Sequence, residues 1–166
     1  MSGANPSHEG KLQAQRRADE VEEGESNGAM IDDELMVGAL NFIRAQKMAI
    51  LSSRDGRGRR WASMVLGAVG FMEPNGRKML AIAVDMAEND AGDVLWENLR
   101  GDDRVGVLII DLVSRRRLRV NGRGHFADGT LTVNVEESYA NCPKYIARRE
   151  FAVAPRVSAL EKRGAL

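Results

Sequence analysis

The chain has 166 residues, with 24 Lys+Arg balanced by 24 Asp+Glu, two His and one Cys. That length suits one ordinary domain, and a net charge of zero removes the general attraction to nucleic acid or anionic membrane that a basic protein has. A single cysteine makes no intramolecular disulfide, which points to a reducing compartment and a cytoplasmic location. No apolar run approaches the ~20 residues that span a bilayer. The opening MSGANPSHEG lacks the basic region and apolar stretch of a secretory signal.

Residues 1–30 are polar and acidic, with Asp19, Glu20, Glu22, Glu23 and Glu25 and little apolar beyond Leu12 and Val21. Such a leader buries too little surface to offset its ordering entropy, so it is expected to be mobile, with a short helix near residues 10–19 only if it docks. Residues 31–150 are expected to form the folded domain and 151–166 a tail. From Ile31, Asp32 and Asp33 are placed to cap a helix carrying Leu35, Met36, Leu40 and Ile43. KMAILSS (47–53) then reads as a strand, RDGRG (54–58) as a turn and RWASMVLGAV (60–69) as the hairpin partner. Pro74-Asn75-Gly76 reads as a second turn before the strand KMLAIAVD (78–85).

GDVLWENLR (92–100) looks helical with Asp93 as cap, and RVGVLIID (104–111) reads as a strand buried on both faces. Residues 115–126 and 130–135 form a further hairpin around Asp128-Gly129, and Asn141-Cys142-Pro143-Lys144 opens a short helix. The sum is mainly β with a few helices: six antiparallel strands, one helix inserted, closed enough to remove most sheet edges. Short turns leave no room for the crossovers of a parallel sheet.

Most catalytic constellations are missing. His8 lies in the leader and His125 stands alone, so no paired His ligands exist for zinc. No phosphate-binding glycine loop follows a strand. Cys142 reads either as a small buried hydrophobe or as a thiol activated by a helix start. The arginines say more. Strand alternation puts Arg115, Arg117, Arg119, Asn121 and Arg123 on one face, and Arg116, Leu118, Val120 and Gly122 on the other. Crowded guanidiniums need carboxylates or an anion, so this is either a solvated, acid-paired face or a phosphate site. Arg54, Arg57, Arg59 and Arg60 lie at a hairpin tip and read as a solvated turn. Nucleic acid is not expected, since few aromatics interleave with these arginines.

Four blocks in order, HEGKLQAQRRA, DGRGRRWAS, RLRVNG and NCPKYI, resemble the pyridoxamine 5'-phosphate oxidase-like proteins, in particular their flavin-nucleotide-binding branch. The resemblance implies an FMN-binding split β-barrel and a homodimer with FMN at the subunit interface. It runs the second hairpin strand along the flavin. With the arginine face, it nominates Trp61, Ser63, Met64, Val65, Leu66, Arg117, Arg119, Asn121 and Lys144 as cofactor-binding residues. Backbone groups of that strand would meet the ring's polar edge, with Met64 and Val65 as an apolar wall.

The chain departs from the oxidases where they place an Arg and a Lys on the phosphate, since Ser63 and Ala68 stand there. Their Ser-Arg-Lys segment is replaced by the acidic stretch 88–93, so phosphate contacts would fall to Ser63, Arg117, Arg119 or Lys144. Their substrate-binding arginine and histidine also have no counterpart. The expected function is an FMN-dependent oxidoreductase meeting a small-molecule substrate or electron donor. The alternative is a non-catalytic flavin, deazaflavin or haem binder. No catalytic residue and no metal ligand is nominated, because a flavin carries its own redox chemistry.

Overall fold

The computed structural model describes residues 13, 31–140 and 146–150. Its elements are α1 (Leu40–Arg44), entered by a 3-10 turn (Val37–Ala39), then β1 (Met48–Arg54), β2 (Arg60–Leu66), β3 (Met72–Asn75) and β4 (Met79–Ala83). They continue with α2 (Val94–Gly101), β5 (Arg104–Asp111), β6 (Arg116–Ala127) and β7 (Thr130–Ala140). The strands form one antiparallel sheet in the order β2-β1-β5-β6-β7-β4-β3. It curls around a core, in keeping with the β-dominated split barrel expected from the sequence.

Alternation builds that core. One face of the strands supplies Ala49, Leu51, Val65, Leu80, Ile82, Val107, Ile109, Leu118, Val120, Leu131 and Val133, all buried. Phe42, Ile43, Leu95, Trp96 and Leu99 close it from the helices, and Leu35 from the segment that precedes them. Each large side chain removed from water contributes about 1.5–3 kcal/mol. This inner packing fixes which residues face outward.

Asp93 caps α2 as its position suggests, its carboxylate accepting from the Leu95 N–H at 2.8 Å. The strand count is seven rather than six, because Met72–Asn75 pairs with β4. Pro74 looks like a turn residue, but β3 is an edge strand, where a missing N–H leaves no ladder bond broken. Asp32 and Asp33 cap no helix. Asp32 exchanges backbone bonds with Ser138, and the two carboxylates meet Arg77 and Lys78. Lys78, at 2.6 Å, holds the Asp33 carboxyl below its ordinary range.

Strand β7 runs five residues beyond the expected end at Val135. A bulge opposite Asn121 and Gly122 inserts Glu136, after which the inward positions shift from Val133 and Val135 to Ser138. Gly122 is obligatory here, since a Cβ would stand 1.9 Å from the Asn134 carbonyl oxygen. Arg115 is not on the strand; it turns the chain with φ at +57°. The helix expected at 141–144, with Cys142 and Lys144, and the leader blocks lie outside the described residues.

Candidate functional site

The outer face of the sheet opposes this core, and its register sets side chains in rows. Ala62, Ser52, Gly106, Asn121 and Glu137 form one row across β2, β1, β5, β6 and β7. Met64, Ile50, Leu108, Arg119 and Tyr139 form the next. Successive rows lie about 6.6–6.8 Å apart along the strands. The first row is small and polar, the second large and mostly apolar. Between them lies a hollow of about 230 Å³ lined by Ile50, Ser52, Ala62, Gly106, Arg119 and Asn121.

Gly106 makes the floor of the hollow. A Cβ there would meet Ser52 Oγ at 2.6 Å and Asn121 Oδ1 at 3.1 Å, so two polar groups crowd around a space that no side chain fills. Asn121 donates through Nδ2 to Glu137 at 2.9 Å, which fixes the amide with its oxygen towards Gly106. Met64 is 57% exposed and Leu66 43%, large apolar surface on an open sheet face.

The nominated residues divide between the two faces. Met64, Leu66, Arg119 and Asn121 come together on the outer face, and Arg117 lies two residues beyond Arg119 along β6. Val65, 1% exposed, belongs to the core and cannot wall a ligand beside Met64. Ser63 is also inward and 5% exposed, its hydroxyl donating to Asp93 Oδ1 at 2.6 Å. It therefore ties β2 to the start of α2, and its donor is spent on a carboxylate. Consecutive strand residues point to opposite faces, so the four in a row from Ser63 to Leu66 cannot all touch one ligand through side chains.

Trp61 is held by its own hairpin. Asp55 accepts from the Arg57 and Arg59 N–H groups at 2.9 Å each, from Arg59 Nε at 2.7 Å and from Trp61 Nε1 at 3.1 Å. The Trp61 indole N–H is the largest influence holding the Asp55 carboxyl far below its ordinary value, with Arg59 adding to it. Asp55, Gly58 and Trp61 of the DGRGRRWAS block thus build a turn. Arg123 pairs with Asp103 at 2.8 Å and Glu136 at 2.9 Å, the acid-paired reading of the arginine face. Arg116 sits over the Phe42 ring at 4.6 Å, on the opposite side from Arg119.

Ile50, Ser52, Gly106 and Leu108 escaped the sequence reading. Their signal was present in the alternation of β1 and β5, but only the pairing of these strands brings them to one hollow. The two ends of β2 also differ in charge. Asp85, Glu88, Asp90 and Asp93 follow β4 and bring Asn89 onto Leu66 at one end, while Arg54, Arg57, Arg59 and Arg60 surround the other. Among the described residues no three His, Cys, Asp or Glu side chains gather as a metal site. No helix there is long and apolar enough to cross a membrane.

An apolar wall beside a polar floor and a guanidinium fits a planar ring with an anionic tail. The acidic stretch and the Ser63 hydroxyl, spent on Asp93, do not suit a phosphate, and the cationic side chain that lines this hollow is Arg119. No family model matches the chain, and no curated protein sequence does. Solved structures do match. A candidate pyridoxamine 5'-phosphate oxidase from Lactobacillus delbrueckii superposes with a TM-score of 0.50 at 15% identity, covering 65% of this chain and 95% of that one. A variant of HupZ from Group A Streptococcus gives 0.50 at 9% identity, covering 64% and 100%. Likeness at these identities carries the fold and nothing finer. The chain has the split-barrel fold of the pyridoxamine 5'-phosphate oxidase-like proteins.

Proposed function

We propose that this protein is a cytoplasmic FMN-dependent oxidoreductase that works as a homodimer. The observation that supports it most is the outer-face hollow, where Ile50 and Leu108 lie beside Ser52, Asn121 and Arg119. Met64 and Ile50 would lie against the flavin ring. Ser52 and Asn121 would hydrogen-bond its polar edge or ribityl chain, and Arg119 would hold the phosphate. The cofactor would supply hydride or electron transfer, while the chain supplies orientation and exclusion of water. A second copy over the same face would cover Met64 and Leu66, whose exposure in a single chain is the argument for the dimer.

The test is the purified full chain. A yellow preparation with a flavin spectrum is expected, at twice the chain mass by light scattering. Arg119→Ala removes a charge-assisted hydrogen bond and should weaken FMN roughly tenfold to a hundredfold, with riboflavin nearly unaffected. A colourless protein that takes up no FMN overturns the reading. Bleaching of the bound flavin by NADH or NADPH separates an enzyme from a non-catalytic flavin or deazaflavin binder. A Soret band would assign haem instead.

A further inference from the structure

We infer that Arg54 and Arg60 form a subsite for a diphosphate group at the open end of the same sheet face. The Asp55 N–H donates to the Arg59 carbonyl at 3.0 Å, so Arg54 and Arg60 are a pair without backbone bonds between them. Such pairs bring their Cα atoms to about 4.5 Å and their side chains closest together. Like charges set directly opposite each other are destabilising. A carboxylate would relieve them, yet the nearby ones are committed elsewhere.

Asp55 is saturated by the turn and by Trp61. Asp102 is gripped by Arg104, with Nε at 2.8 Å, and its carboxyl is lowered to about 2; the Arg54 charge adds to that lowering at longer range, without a direct ion pair. Asp103 and Glu136 both serve Arg123. Among the described residues, Arg54 and Arg60 make no ion pair, while Arg59, Arg104 and Arg123 all do. The Arg54 guanidinium lies over the hairpin, with Nη2 3.2 Å from where a Gly58 Cβ would stand.

The pair also has an approach. Ser52 and Ala62, two residues along each strand, line the hollow at Gly106. A ligand in that hollow therefore reaches the pair after one row, about 6.6–6.8 Å. Two adjacent guanidinium forks suit two linked phosphates better than one, because each fork takes its own pair of oxygens. The shared chemistry is a diphosphate, carried by free pyrophosphate or by a nucleotide.

The experiment titrates inorganic pyrophosphate, orthophosphate and ADP into the full chain at low salt, by calorimetry. Pyrophosphate should saturate and bind more tightly than orthophosphate. Arg54→Gln and Arg60→Gln should each weaken it by about tenfold or more. Arg57→Gln, on the same hairpin but outside the pair, should leave it within about twofold, and unchanged melting temperatures confirm that all variants fold. Equal affinity for ADP and pyrophosphate assigns the subsite to the diphosphate alone. Tighter ADP binding that is lost in Gly106→Val adds the nucleoside to the hollow. Absence of saturable binding, or equal weakening by Arg57→Gln, overturns the inference. No flavin is involved in the assay: a colourless protein that binds pyrophosphate refutes only the flavin reading, and a yellow one that does not refutes only this one.

Discussion

The side-chain amide of Asn89 occupies both backbone groups of Leu66, its Oδ1 accepting from the N–H at 2.8 Å and its Nδ2 donating to the carbonyl at 3.0 Å. Leu66 ends an edge strand, and the amide stands where another strand would pair. The same Nδ2 also donates to the Asp85 carbonyl at 2.8 Å, which fastens the acidic stretch to the end of β2.

Asn89→Ala should cost about 1 kcal/mol, since these bonds are exposed and compete with water. Hydrogen exchange at the Leu66 amide should accelerate while exchange in β5 stays slow. Unchanged exchange at Leu66 would show that the amide is not what protects it.

Ser63→Ala removes the hydroxyl that joins β2 to the α2 cap at 2.6 Å. The expected loss is about 1–2 kcal/mol, read as a lower melting temperature. If Ser63 is structural, FMN and riboflavin affinities should change by the same factor. A selective loss of FMN would restore Ser63 to the phosphate.

The Asp55 turn predicts a pH dependence with a defined sign. Its carboxyl is more acidic folded than unfolded, where the ordinary value is 3.8, so its contribution is complete above that value and lost as pH falls through the folded one. Asp102 behaves alike, losing its contribution between 3.8 and about 2. Trp61 fluorescence should therefore stay flat from neutral pH down to about 4 and change below it. In Asp55→Asn the acid step at Trp61 should vanish. A transition at Trp61 near neutral pH would contradict this account.

Gly122→Ala places a Cβ against backbone that cannot step aside, 1.9 Å from the Asn134 oxygen. Thermal unfolding should reveal a loss of about 3 kcal/mol or more, or no soluble protein. Gly38→Ala is the control, because a Cβ there meets nothing within 4 Å. Equal stability of the two variants would mean that the bulge can rearrange freely.

Local features were legible in the chain. Asp93 caps the helix it precedes, and β5 occupies 104–111 as its apolar run suggests, because neither depends on distant partners. Pro74 was misread because an edge strand tolerates what a central one does not, and edges are set by strand order. Strand β7 was cut short because Glu136 breaks the alternation from which a strand is recognised. The Ser63–Asp93 bond was out of reach of the sequence, because thirty residues separate the two and only the fold brings β2 to the start of α2. The opposition of Arg54 and Arg60 was within reach, since a tight turn closed between Asp55 and Arg59 fixes that register.

The charge difference between the ends of β2 gives this neutral chain a direction. With 24 cationic and 24 anionic side chains the molecule has no monopole to draw ligands from afar. An edge strand with arginines at one end and carboxylates at the other still makes a local dipole, which exerts a torque on an approaching anion. A ligand of the proposed Arg54–Arg60 subsite would arrive already turned, its diphosphate towards the hairpin. That steering acts over about a Debye length, ~8 Å at physiological ionic strength, so salt should slow association far more than it hastens release.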